Sequence, residues 1–196
     1  MFSADTCVEL KPATASARTA ATVAQCLRQA HTLGLARVDA QMLLLHGLQR
    51  PLHDRAWLMA HDSDTLTAEQ FTAWQDALQR RHSGEPVAYI TGRKDFFGLT
   101  LAVDARVLDP RPDTEILVEW ALELLPAGQP ARVLDLGTGS GAIALAIKSQ
   151  RPQAHVTAVE ASSEALSLAR QNAKNLSLDV SFLESDWLAQ VKGQFE

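Results

Sequence analysis

The sequence predicts an α/β protein in which a helical bundle is followed by a β-hairpin and the first half of a doubly wound, Rossmann-like sheet. Residues 20–83 carry apolar side chains at intervals of three and four, which is the spacing of amphipathic helices. From residue 133 onward, short apolar strands alternate with helices, as in a parallel sheet. We therefore divide the chain into four parts: a disordered lead 1–19, a helical domain 20–83, a β-hairpin linker 84–112 and a partial sheet domain 113–196.

The helical domain contains four predicted helices. The first ends at Gly34, the second ends at Gly47, and the third begins at Pro51. The fourth has the clearest start, because Thr67 and Gln70 have the spacing of a capping box. Since the domain offers a packed bundle without converging catalytic groups, we expect it to recognise a partner.

Alternating apolar residues from Val87 to Val103 predict the β-hairpin. Pro110-Arg111-Pro112 then stops the strand, and Asp113 is the predicted cap of the next helix. That helix is expected to present five apolar side chains to a core: Ile116, Leu117, Trp120, Leu124 and Leu125.

The remaining residues read as a β-α-β-α-β unit. Its predicted elements are strand 133–136, helix 142–150, strand 156–160, helix 162–175 and strand 180–184. Right-handed crossovers place these strands in the order 3-2-1. In such sheets the ligand crevice opens at the carboxyl ends of the strands, where the strand order reverses.

The run Asp135-Leu136-Gly137-Thr138-Gly139-Ser140-Gly141 lies between the first strand and its helix. Its glycines let the backbone turn sharply and approach a ligand at the helix N-terminus. The pattern Gly137-x-Gly139-x-x-Ala142 also fits the relaxed dinucleotide fingerprint, a weak signal by itself. Asp135 favours a cationic ligand over a pyrophosphate, because its carboxylate repels phosphate and attracts the ammonium and sulfonium of S-adenosylmethionine.

Acidic residues end the next two strands. Glu160 follows the glycine run by about 20 residues, where a carboxylate can accept both hydroxyls of a ribose. Asp186 and Trp187 follow the third strand, where they can border an adenine. An ordinary Asp-initiated turn with a packed Trp explains that last pair nearly as well.

Composition excludes several classes of protein. A net charge of −5 opposes a surface for nucleic acid, and no apolar run is long enough to span a bilayer. Cys7 and Cys26 are too few for a disulfide framework, and the six His residues show no metal-ligand spacing. We therefore expect a cytoplasmic protein without a metal, a membrane or direct nucleic-acid contact, with Cys26 in a core.

The order of these parts resembles the HemK/PrmC family of protein-glutamine N5-methyltransferases. The resemblance rests on the helical front domain, on Pro-Arg-Pro-Asp-Thr-Glu at 110–115, on the glycine run continuing to 146 and on Ser-Asp-Trp at 185–187. These enzymes use S-adenosylmethionine to methylate the glutamine of the Gly-Gly-Gln motif in peptide chain release factors.

The resemblance implies roles for individual residues. The five residues from Gly137 to Gly141 (Gly137, Thr138, Gly139, Ser140, Gly141) would hold the methionine end of the cofactor, Glu160 the ribose, and Asp186 with Trp187 the adenine. A possible gate for substrate or cofactor comprises Arg111, Asp113, Thr114 and Glu115, although spacing alone favours an ordinary helix start there. Glu160 departs from the family, in which Asp is common.

The family's catalytic motif, Asn-Pro-Pro-Tyr, is expected just after Glu196, and no catalytic residue is assigned within residues 1–196. We therefore read the chain as a fragment that is inactive alone and self-associates through its uncovered first strand. Three alternative functions remain possible for the chain: a nucleic-acid adenine methyltransferase, a nicotinamide-dependent oxidoreductase and a module that only binds a partner. The choice between a release factor and a ribosomal protein as glutamine donor also stays open.

Overall fold

The computed structural model of the chain describes residues 21–195, which fall into two compact units. The first unit extends to Gln79 and is built from helices, and the second begins at Arg80 and contains both sheets. None of the helices in the described part of the chain has both the length and the apolar composition that crossing a membrane requires.

Four helices build the described part of the first unit, from residue 21 onward, and the last of them continues into the second unit. They are α1 (Val23–Thr32), α2 (Arg37–Gly47), α3 (Arg55–Ala60) and α4 (Ala68–His82). The predicted capping box of α4 is confirmed, since the Gln70 amide donates to Thr67 Oγ1 at 3.2 Å and the Thr67 amide donates to Gln70 Oε1 at 2.9 Å. Cys26 is buried on α1, and burial raises the pKa of its thiol to about 11.

The prediction that the third helix begins at Pro51 was wrong. Residues 51–54 form a turn in which the Asp54 amide donates to the Pro51 carbonyl, so that α3 starts only at Arg55. Gly47 is the last residue of α2, and a Cβ there would lie 3.4 Å from the Trp74 backbone nitrogen. A glycine at this position therefore permits close packing of α2 on α4, where Trp74 is fully buried.

The second unit contains a two-stranded hairpin and a three-stranded parallel sheet. Its elements are α5 (Val87–Thr91), β1 (Arg93–Phe96), β2 (Leu99–Ala102), a 3-10 turn (Pro112–Thr114), α6 (Glu115–Leu124), β3 (Arg132–Leu136), α7 (Ala142–Gln150), β4 (His155–Glu160), α8 (Ser163–Leu176) and β5 (Ser181–Glu184). The parallel order β3-β4-β5 confirms the predicted order 3-2-1.

The hairpin is shorter than predicted, because Val87–Thr91 form helix α5 and not a strand. Pro86 starts this helix, with its carbonyl accepting from the Tyr89 and Ile90 amides. Gly92 ends it in the left-handed conformation, with φ of 69°. The five residues of this segment, VAYIT, are too few for their apolar pattern to distinguish a strand from a helix. Pro86 and Gly92, at its two boundaries, decide for the helix.

The predictions for α6 were largely wrong. Asp113 lies within the 3-10 turn and makes no capping hydrogen bond. The stripe that packs inward is centred on Val118, which is fully buried, and of the five predicted core residues only Leu125 is buried. The other four are exposed by 49% to 84%: Ile116, Leu117, Trp120 and Leu124. Apolar residues surround most of this helix, so its sequence does not determine which face packs.

Candidate functional site

The glycine run forms a loop between β3 and α7. Gly137, Gly139 and Gly141 have φ of 73°, 54° and 84°, in the left-handed region that favours glycine. A Cβ at Gly137 or Gly139 would meet no atom within 4 Å, whereas a Cβ at Gly141 would come within 3.0 Å of the Leu145 side chain. The first two glycines therefore leave a space beside the loop, and the third allows α7 to pack closely.

The loop is fastened to the neighbouring strand. The Gly137 and Thr138 amides both donate to the Val159 carbonyl at 2.9 Å. Because β4 lies beside β3 in the parallel sheet, this attachment holds the loop next to the carboxyl end of β4. The backbone that faces the open space is thus positioned before any ligand arrives.

Asp135 lies half-buried under the loop and accepts a hydrogen bond from Thr138 Oγ1 at 2.7 Å. Burial raises the pKa of its carboxyl above the usual value, and the negative charge of Glu160 adds to the rise. Hydrogen bonds from the Thr138 hydroxyl and the Ala144 backbone oppose that rise. An ionised Asp135 is therefore costly in the free protein, and a cationic group placed beside it would lower the cost.

Glu160 holds the loop from the end of β4. One carboxylate oxygen accepts from the Gly139 amide at 3.0 Å, and the other accepts from the Ala161 and Ser162 amides at 2.9 and 3.1 Å. A carboxylate offers about four lone-pair positions, so about one remains for a further donor. The same residue thus orders the glycine loop and keeps some capacity for a ligand hydroxyl.

A cavity of about 210 Å³ opens beside these groups. Its lining consists of Gly137, Val159, Glu160, Ala161, Ser185, Asp186 and Trp187. The ends of three neighbouring strands therefore meet at one space, as expected at the carboxyl edge of a parallel sheet. Trp187 belongs to this lining, is 70% exposed and has φ of 49°.

Ser185 fixes the segment that carries Asp186 and Trp187. Its amide donates to the Glu160 carbonyl at 3.1 Å, its hydroxyl donates to the Trp187 carbonyl at 3.0 Å, and that hydroxyl oxygen accepts from the Gln190 amide. The buried hydroxyl thus bends the chain after β5 into a defined turn.

The four residues of the predicted gate do not line this cavity. The Glu115 carboxylate instead accepts from the Phe97 amide at the hairpin turn, at 2.8 Å. Arg111 is 3.8 Å from the buried Asp109 carboxylate, and the Asp113 side chain is exposed. Thr114 belongs to the 3-10 turn, where its amide donates to the Arg111 carbonyl. Among these contacts, the one from Glu115 joins the segment to the hairpin turn.

One residue that supports the loop was missed from the sequence. Asn172 on α8 is fully buried, and its Nδ2 donates to the Ser140 carbonyl at 2.9 Å. The same side chain pairs with the backbone of Ala102, accepting from the amide at 2.8 Å and donating to the carbonyl at 3.0 Å. Asn172 thus joins the glycine loop to strand β2. Its signal in the sequence is a polar residue on the buried stripe of a helix.

Two segments of the chain match known protein domains. Residues 20–92 match the PrmC N-terminal domain, and residues 112–196 match the methyltransferase small domain. The chain belongs to the HemK/PrmC family.

Two curated relatives are both named release factor glutamine methyltransferase. The protein from Bordetella pertussis is 47% identical over 161 residues, which cover 82% of this chain and 58% of the relative. The protein from Escherichia coli is 46% identical over 159 residues, which cover 81% and 56%. The chain thus spans about half the length of the curated relatives it matches.

Similarity extends to solved methyltransferase structures. One is the ribosomal protein L11 methylase of Lactobacillus delbrueckii, with 30% identity and a TM-score of 0.39 over 43% of this chain and 44% of that one. Another is the tRNA (uracil-54, C5)-methyltransferase of Pyrococcus abyssi, with 17% identity and a TM-score of 0.41 over 48% and 23%.

Proposed function

We propose that the protein, at the length of its relatives, is an S-adenosylmethionine-dependent methyltransferase of the cytoplasm. Its substrate is the glutamine side chain of the Gly-Gly-Gln motif in peptide chain release factors. The observation that carries the proposal is the convergence of the glycine loop, Asp135 and Glu160 at one edge of the parallel sheet. The name shared by the relatives, at 46% to 47% identity, supports the substrate.

The residues present fit the cofactor. Gly137 and Gly139 leave a space that a Cβ would enter, and the half-buried Asp135 favours a positive charge beside it. Glu160 retains an acceptor position for a ribose hydroxyl, and Asp186 with Trp187 borders the cavity where an adenine would lie. S-adenosylmethionine supplies an electrophilic methyl group on a sulfonium. The chain's own contribution is to bind and orient it, because an amide nitrogen is a poor nucleophile that depends on positioning.

The proposal is tested by methyl transfer to a purified release factor. This chain, extended to the length of its relatives, is incubated with radiolabelled S-adenosylmethionine, and the modified residue is located by mass spectrometry. We expect one methyl group on the glutamine of Gly-Gly-Gln and none when that glutamine is replaced by alanine. Transfer to a ribosomal protein or to adenine in nucleic acid, with the release factor unmodified, would contradict the proposal and identify the alternative substrate.

Glu160→Ala is expected to weaken cofactor binding by about 1–3 kcal/mol, or about 5- to 150-fold, through loss of charge-assisted hydrogen bonds. Isothermal titration calorimetry with the extended protein measures the change. Glu164→Ala is the matched control, because Glu164 is an exposed carboxylate in the first turn of α8. Equal losses in both variants would mean that general electrostatics and not the Glu160 contacts support binding.

Cofactor affinity is also expected to fall as the pH is lowered through the raised pKa of Asp135. A bound cation favours the ionised carboxylate, so binding must expel a proton wherever free Asp135 is protonated. In the ligand-free protein, the effect of pH on stability has the opposite sign to its effect on cofactor affinity. The folded state holds the Asp135 proton more tightly than the unfolded state does. This contribution to the free energy of unfolding therefore decreases as the pH rises from the usual 3.8 towards the raised pKa. Titration calorimetry with the cofactor from neutral pH to about pH 4 should show that affinity falls in the parent and changes less in Asp135→Asn. The same dependence of affinity on pH in both proteins would contradict the role of Asp135.

A further inference from the structure

The helical unit contains a larger cavity than the one beside the glycine loop. It measures about 460 Å³, within the usual range for ligand sites, and it opens between α1, α2 and α3. Its apolar lining consists of Ala24, Leu27, Leu35, Ala40, Leu58 and Met59. A second depression shares Met59 with it and adds Val38, so the two form one groove. Met59 and Val38 are 71% and 48% exposed, which leaves an apolar floor open to a partner.

Positive charges surround this groove. Arg28, Arg37 and Arg55 contribute to its lining and are exposed. None of the three forms an ion pair with a carboxylate among residues 21–195. Asp62 is the single carboxylate in the part of the lining that the described residues form. The groove is thus a positive surface on a chain whose net charge is −5.

We propose that the groove binds a segment of the protein substrate in which one or two large apolar side chains are bounded by Asp or Glu. The inference deepens the proposed function, on which it rests, by stating what part of a release factor the helical unit recognises. Apolar side chains would fill the cavity, and flexible Met59 would adapt to their shape. Arginine suits the flanking carboxylates, because its planar donors can engage both oxygens.

The lining argues against nucleic acid as the occupant. Among residues 21–195, it includes no Phe, Tyr or Trp on which a base could stack, although the arginines would attract phosphate. It also argues against a small polar metabolite, because the charged groups lie exposed around an apolar interior and do not converge inside it. An amphipathic protein segment matches both features at once.

The first test measures binding of a purified release factor to this chain by fluorescence anisotropy. Met59→Asp and the triple variant Arg28→Glu, Arg37→Glu, Arg55→Glu should each weaken binding by about 10-fold or more, and added salt should weaken the parent complex. The matched controls are Leu108→Asp and Lys174→Glu, exposed residues of the second unit, which should change affinity by less than about twofold. Circular dichroism establishes that each variant keeps its helices. No binding by the parent, or equal binding by the groove variants and the parent, would overturn the inference.

The second test identifies the occupant. Met59 is replaced by a photo-crosslinking phenylalanine analogue, and the site of attachment in the release factor is mapped by mass spectrometry. Attachment to an apolar segment flanked by Asp or Glu is expected, whereas attachment to a basic segment would overturn the inference. Displacement of the release factor by RNA, or binding that appears only after removal of residues 1–20, would assign the groove to nucleic acid or to the chain's own N-terminus. Neither result depends on methyl transfer, so failure of the proposed activity and failure of this docking site are distinguishable.

Discussion

Gly139→Val is expected to abolish cofactor binding, with affinity reduced by about 100-fold or more, or about 2.7 kcal/mol. Gly139 has φ of 54°, a conformation that costs a β-branched residue about 1–3 kcal/mol. A valine at this position also directs its side chain into the space beside the loop, where a Cβ meets no protein atom. The substitution therefore both strains the loop and fills the place where the ligand must approach.

Gly128→Val separates these two effects. Gly128 also has a positive φ, 72°, and a Cβ at this position would likewise meet no atom within 4 Å, so a valine there carries the same backbone strain without a steric clash. It lies before β3, outside the glycine run between β3 and α7 that the cofactor is proposed to contact. Calorimetry with S-adenosylmethionine should show binding by Gly128→Val and none by Gly139→Val, at comparable melting temperatures. Retained binding in Gly139→Val would place the cofactor elsewhere.

The second unit's parallel sheet was predictable because its signals are local. Short apolar strands, helices of ordinary length and a glycine loop follow one another without insertions, and right-handed crossovers leave one strand order. The meeting of the glycine loop with Glu160 follows from the same rule, since parallel strands present their carboxyl ends on one edge. These inferences need only the period of the pattern and the direction of the chain.

Helix α6 shows where that reasoning fails. Two apolar stripes compete on it, one through Val118 and Leu125 and the other through Leu117, Trp120 and Leu124. Periodicity shows that both exist, but the choice between them depends on the shape of the neighbouring elements. The smaller, branched Val118 packs inward, and the larger Trp120 is exposed. Hydrophobicity alone would have predicted burial of the stripe that contains Trp120.

Asn172 was missed for a related reason. Asparagine is an ordinary residue at helix ends and in turns, so a pattern based on apolar positions passes over it. Its partners are the backbone of Ala102 and Ser140, which are 70 and 32 residues away in the chain. The sequence around a side chain that bonds to distant backbone contains no signal for those hydrogen bonds, other than the predicted burial of the side chain. That burial is visible only once α8 is assigned a packed face through Ala165, Leu168 and Ala169.

Asn172→Ala is expected to lower the free energy of unfolding by about 3 kcal/mol, about 1 kcal/mol for each of its three hydrogen bonds. The Ser140 carbonyl would lose this partner in a buried site, so the loss extends to the glycine loop. Urea unfolding measures the global effect, and amide hydrogen exchange at Gly139 and Gly141 measures the local one. Asn175→Ala is the matched control, because Asn175 is exposed on the same helix.

Asn172→Asp gives a sharper form of the same test. An ionised carboxylate can still accept from the Ala102 amide, but it cannot donate to the carbonyls of Ala102 and Ser140. Burial would favour the protonated acid, which regains one donor, so the variant should be more stable at low pH than at neutral pH relative to the parent. Asn172→Ala should show no such pH dependence. If both variants exchange the loop amides as slowly as Asn175→Ala does, the loop is ordered by Glu160 and the Val159 carbonyl alone, and Asn172 serves only the packing of α8.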